Sequence, residues 1–104
     1  QSLGDTIPFL LFTHKSTLFK AFGNIGGDCF HTVFFRVENI KGCCATLRLL
    51  LALDHKGQSI DFHDKADICK VDELVKTNNC IEVDLNCFCA IQCLSPRLLS
   101  DVNK

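Results

Sequence analysis

From Cys80 to Cys93 the chain reads CIEVDLNCFCAIQC. Ile81, Val83, Leu85, Cys87, Cys89, Ile91 and Cys93 fall in one phase of a period of two, and Cys80, Glu82, Asp84 and Asn86 in the other. That alternation is the mark of a half-buried β-strand. From Phe88 onward the second phase turns apolar too, through Ala90 and Leu94, so the later half should be covered on both sides, by the sheet's own partner or by another subunit. The run is 14 residues long, against about five or six for an ordinary strand. A bulge or bend is therefore expected near Asn86, and the line breaks at Ser95-Pro96.

The same stretch carries four of the eight cysteines in a chain of 104 residues. That density is typical of disulfide scaffolds, and an even count permits complete pairing. Yet 47% of the chain is hydrophobic, so it can build one core in a single domain, 1–104, without leaning on bridges. Cysteines surplus to folding are then free to act between molecules. A net charge of −1 with scattered signs offers no basic patch and argues against a nucleic-acid partner. The apolar runs at 8–12 and 46–53 are too short to cross a bilayer, so no membrane insertion is expected. The nine Phe come with no Tyr and no Trp, which argues mildly against a recognition module.

Along the chain, TIPFLLFT (6–13) reads as a strand, with Pro8 at its start or on an edge. His14-Lys15-Ser16 turns into TLFKAF (17–22), and the glycines of GNIGGD (23–28) suit a wide turn. CFHTVFFRVENI (29–40) alternates as one strand, in which Phe34 interrupts the polar face and becomes a candidate interface residue. Lys41-Gly42 turns into CCATLRLLLAL (43–53), and Asp54-His55-Lys56-Gly57 into QSIDF (58–62). HDKADICKVDE (63–73) is charged and irregular, with room for a helical turn, and 100–104 is expected to fray. Seven or eight strands with regular turns point to an all-β fold, an antiparallel β-sandwich. The alternating positions Val33, Phe35, Val37, Leu47, Leu49, Leu51, Ile81, Val83 and Leu85 are expected to share one core.

The motifs favour no catalysis. CFCAIQC spaces thiols as C-x-C-x3-C, whereas zinc knuckles take C-x2-4-C on a turn, and thiols two apart on a strand lie about 6.5–7 Å apart. No metal or cofactor site is assigned. C-x-x-C is absent, the four histidines fall in turns or near strand ends, and none neighbours a cysteine in sequence. Strand phase places Cys43, Cys87 and Cys89 on the core side. Cys93 shares their phase but lies beyond the bend, so its side is open. Cys29, Cys44, Cys69 and Cys80 sit beside loops or on polar faces and are the candidates for intermolecular cross-links.

Six stretches resemble, in collinear order, the spore coat protein Y/Z family, which includes the exosporium protein Y of Bacillus-type spores. They are DTIPFLLF (5–12), KAFGNIGG (20–27), FFRVENI (34–40), CCATLRLL (43–50), KTNNCIEVDLNCFCAIQCL (76–94) and SPRLL (95–99). The resemblance implies a structural protein of the outer spore layers, whether coat, crust or exosporium, made in the mother cell. It also implies self-assembly into a two-dimensional homo-oligomeric lattice, with hexamers as one candidate unit, cross-linked by disulfides and joined to other spore coat or exosporium proteins. Family members usually carry a further cysteine-containing N-terminal segment. Two other readings stand beside it: a secreted, disulfide-stapled monomeric binding module, and a metal- or thiol-dependent protein.

Overall fold

The computed structural model describes residues 7–103, with side chains through Leu99. The fold is all-β. Its strands are β1 (Phe9–Thr13), β2 (Ala21–Ile25), β3 (Asp28–Thr32), β4 (Phe35–Lys41), β5 (Cys44–Leu53), β6 (Glu73–Asp84), β7 (Phe88–Cys93) and β8 (Leu99–Asn103). Six of them form one sheet in the order β7-β1-β4-β5-β6-β8, and β2 and β3 form a separate ribbon. All neighbours are antiparallel except β6 and β8, which run parallel, pairing Leu74 with Leu99 and Lys76 with Asn103. The last residues, expected to fray, thus supply the backbone of an edge strand; Lys104 lies outside the described residues.

The long cysteine-rich run bends where strand length demands it. A 3₁₀ turn, Leu85–Cys87, separates β6 from β7, and the Asp84 side chain accepts the Asn86 N–H to cap it. In pairing order β6 and β7 lie four strand spacings apart, about 19 Å on a flat sheet. Four chain steps join Asp84 to Phe88, and those reach at most about 14 Å. The sheet must therefore curl until β7 and β1 lie over β4, β5 and β6. The thin seam between the two limbs is visible in the register: β1 meets β4 only at Phe9 and Phe35.

Curling buries both faces of the pleat in place of one shared core. Phe9, Leu11, Phe35, Ala45, Leu47, Leu49 and Val83 form a cluster between the limbs, with Phe19, Ala21 and Phe30 closing it from the ribbon side. Leu10, Val33, Phe34, Leu50, Ala52 and Leu74 form a second cluster on the reverse face, roofed by Phe62, Ile68, Val71 and Leu98. Val33 thus belongs to a different cluster from Phe35. Phe34 is no interface residue: it is buried and meets the Phe62 ring edge-on at 5.6 Å. Leu51 is half-buried, and Leu85, at the start of the 3₁₀ turn, is exposed on the open side of the space between the limbs.

The stretch 29–40 is two strands, because Thr32 ends the first. Its buried hydroxyl donates to the Leu50 carbonyl at 2.6 Å and accepts the Phe34 N–H at 3.1 Å, which turns the chain from ribbon into sheet. The glycine loop before it is a tight two-residue hairpin, not a wide turn. Gly26 and Gly27 have φ of 58° and 98°, the left-handed pair that a type I′ turn requires.

Candidate functional site: the exposed thiols and the open groove

None of the eight cysteines is paired within the chain, and all eight are exposed. The expectation that Cys43, Cys87 and Cys89 face the core is therefore corrected, and each has its own cause. Gly42, with φ of 62°, opens a two-residue turn that closes the Lys41–Cys44 pair, so Cys43 sits in the turn and not in the strand. Cys87 lies in the 3₁₀ turn, where the period of two no longer applies. Cys89 stands at a bulge between β7 and β1, and its thiol donates to the Thr13 carbonyl at 3.0 Å. Its phase carries it toward the space between the limbs, but nothing among the described residues covers that space.

The space is a groove of about 460 Å³, lined by Phe9, Ile40, Leu47, Leu85, Cys89 and Ile91 among others, with Cys93 on its wall. Ile40 is 60% and Ile91 58% exposed. The expectation that the later half of the run is covered on both sides meets a strand, β7, exposed over nearly its whole length. Alternation reports which face a residue shares but not whether anything lies against that face.

The other thiols are distributed around the molecule. Cys43 and Cys44 occupy the β4–β5 turn beside the β6–β7 corner, where the Leu85 N–H donates to the Cys43 carbonyl at 2.7 Å. His14 ties the β1–β2 turn to that same corner through the Asn86 carbonyl at 2.9 Å. Cys29 lies on the ribbon, Cys80 on β6 and Cys69 in the 3₁₀ turn Lys65–Lys70. In the register Cys29 faces Asn24, Cys44 faces Asp84, Cys80 faces Arg48 and Cys93 faces Phe9. No cysteine stands opposite another, so the strand pairing sets up no cross-strand disulfide.

Polar chemistry is spent on holding the frame. Arg48 and Arg36 both bind Glu38 and hold its carboxyl down to about 2, while the guanidinium of Arg48 also donates to the Thr77 carbonyl at 2.8 Å. Asp67 accepts the N–H groups of His63 and Asp64 and the Lys70 ammonium, which keeps its carboxyl well below the usual range and clamps the 3₁₀ turn carrying Cys69. His31 accepts the Phe62 N–H through Nε2 at 3.2 Å. Among the described residues no histidine is hydrogen-bonded to a thiol, and no three His, Cys, Asp or Glu converge as metal ligands. No described helix is long and apolar enough to cross a membrane. Sequence reasoning missed the open groove, for which the only signal was the apolar turn of both phases after Phe88.

A family model described as Spore coat protein Z matches residues 1–96. A relative from Bacillus subtilis (strain 168), named Spore coat protein Z, is 60% identical over 104 aligned positions, which take in 96% of this chain and 70% of the relative. No solved structure matches.

Proposed function

This chain belongs to the spore coat protein Z family, and we propose that it is a non-enzymatic structural subunit of the spore coat, assembled into a lattice with copies of itself and locked by disulfides between neighbours. Family membership supports a structural place in the coat, for a protein made in the mother cell during sporulation. The observation that carries the finer reading is the placement of the thiols: neither core cluster contains any of the eight, and all eight lie on the surface. They point in several directions, as tiling a surface with repeated contacts requires.

A stapled monomeric module would need its cysteines matched within the chain. The register places Asn24, Asp84, Arg48 and Phe9 opposite four of them, which favours partners on other subunits. The exposed cysteines available for this are Cys29, Cys44, Cys69 and Cys80, together with Cys43, Cys87, Cys89 and Cys93. Noncovalent contacts place the subunits, and disulfides then hold them at high effective concentration. Peptide mass mapping of assembled, non-reduced protein tests the reading, with rings or sheets expected by electron microscopy and interchain cysteine pairs expected in the map. A protein that stays monomeric at high concentration, oxidised and reduced alike, overturns it.

A further inference from the structure

Among the described residues β7 is the outermost strand on its side of the sheet, pairing β1 along one edge only. The direction of its free backbone groups follows from the register. Leu94 donates its N–H to the Pro8 carbonyl at 2.8 Å, in step with Gln92 opposite Leu10 and Ala90 opposite Phe12. Hydrogen-bonded pairs alternate along an antiparallel ladder, so Ile91 and Cys93 turn their N–H and C=O groups away from β1. β1 agrees, since the carbonyl of Leu11, the partner of Ile91, points away from β7 to accept the Phe19 N–H at 2.9 Å.

Such an edge invites another strand. Natural edges are commonly blunted by charge or proline, yet FCAIQC contains neither. Its one interruption is the bulge at Cys89, which leaves the stretch from Ala90 to Cys93 regular. The edge is also self-complementary: read from Ile91, a cysteine lies two residues away in each direction.

We propose that two copies of this chain join through antiparallel pairing of their β7 edges about a two-fold axis at Ile91, sealed by two reciprocal disulfides from Cys89 of one copy to Cys93 of the other. The inference rests on the reading of the chain as a self-assembling, disulfide-linked subunit, and it names one of the contacts. Only residues with outward backbone groups can form the hydrogen-bonded pairs, which restricts the register to odd positions facing odd positions. Centring on Ile91 keeps the pairing on the strand. Isoleucine then meets isoleucine, and each bulged Cys89 meets the regular end of its partner. Regular hydrogen-bonded antiparallel pairs hold their Cα atoms about 5.5 Å apart, inside the roughly 4.4–6.8 Å that a disulfide spans, and at the bulge the Cys89 thiol exchanges its bond to the Thr13 carbonyl for the bridge. The pairing continues the sheet across the axis and brings the exposed Ile91 walls of the two grooves together.

Each bond forms by exchange with a small-molecule disulfide such as oxidised glutathione. One cysteine thiolate attacks it and releases a thiol; the facing thiolate then displaces the second. For each bond formed, two protein thiols lose two protons and two electrons, and these reduce one small disulfide to two thiols.

The test mixes isotopically light and heavy protein, oxidises it with oxidised glutathione and maps disulfides by mass. Within one chain Cys89 and Cys93 are about 13 Å apart along the strand, so a light–heavy Cys89–Cys93 peptide reports the contact between copies. The expected result is that this peptide forms, that it is lost in Ile91→Lys, where like charges face each other across the axis, and that it returns in Ile91→Val. Circular dichroism confirms that the Ile91→Lys protein stays folded, and Cys89→Ser with Cys93→Ser removes the product without touching the edge. Interchain disulfides at other cysteines with no Cys89–Cys93 product, a Cys89–Cys89 or Cys93–Cys93 product in its place, or an unchanged yield in Ile91→Lys each overturn this contact while leaving the assembly reading intact. An absence of any interchain disulfide or assembly overturns both.

Discussion

Arg48 grips Glu38 with both arms of its guanidinium, Nε at 3.0 Å to one carboxylate oxygen and Nη2 at 3.2 Å to the other. The fork joins β5 to β4 where the register of β5 against β6 shifts, and Arg36 Nε adds a third bond at 2.8 Å. Bidentate charge-assisted bonds are stronger than neutral ones, although partial solvation limits this one. Replacing Glu38 with Gln should cost about 1–2 kcal/mol at neutral pH, read from urea midpoints.

The same carboxylate sets an acid limit. Its folded pKa, near 2, lies below the ordinary 4.5 because Arg48 and then Arg36 bind the ionised form. Stability from a depressed carboxylate is complete above the unfolded pKa and is lost as pH falls toward the folded one. The difference between parent and Glu38→Gln should therefore be full above pH 4.5 and close progressively toward pH 2. A difference that grows on acidification would rule this linkage out.

The interior between the limbs should answer to volume. Leu49 is buried among Phe35, Leu47 and Val83, and Leu49→Ala should lose about 2–5 kcal/mol through transfer and cavity terms. Glu82 is exposed on β6, and Glu82→Ala should stay within about 0.5 kcal/mol. Comparable losses from the two, measured by chemical denaturation, would contradict the burial pattern.

Thr32→Val preserves shape but strips the hydroxyl that serves both the Leu50 carbonyl and the Phe34 N–H. Leaving buried backbone groups unpaired should cost about 1–3 kcal/mol. Thr32→Ser should recover part of that, and amide exchange at Phe34 should accelerate only in the valine variant.

Substituting Cys29, Cys44, Cys69 and Cys80 together by Ser changes only exposed residues, so the variant should fold with unchanged circular dichroism. Its assemblies should fall apart on milder heating than the parent's. In the parent, reductant alone should weaken assemblies, and heat with reductant should dissolve them. Light scattering during a thermal ramp checks this; equal heat resistance would remove these four from the cross-links, and dissolution by a chelator instead of a reductant would point to metal.

The residues alone determined that this chain is built of strands. Alternation through Val83, Leu47 and Phe35 depends only on the pleat, which repeats every two residues wherever a strand runs. The bend near Asn86 followed from length, since an alternating run of 14 residues far exceeds an ordinary strand. What lies against each face was decided by tertiary structure. Cys89 and Leu47 share a lining, yet Leu47 is sealed while Cys89 is open, because the limb carrying β7 curls over the sheet without closing the groove. Val33 and Phe35 share a phase but went to different clusters, because Thr32 bonds to a carbonyl 18 residues away and turns the chain between ribbon and sheet. A period in sequence is local, whereas burial depends on which distant segment arrives to cover the surface.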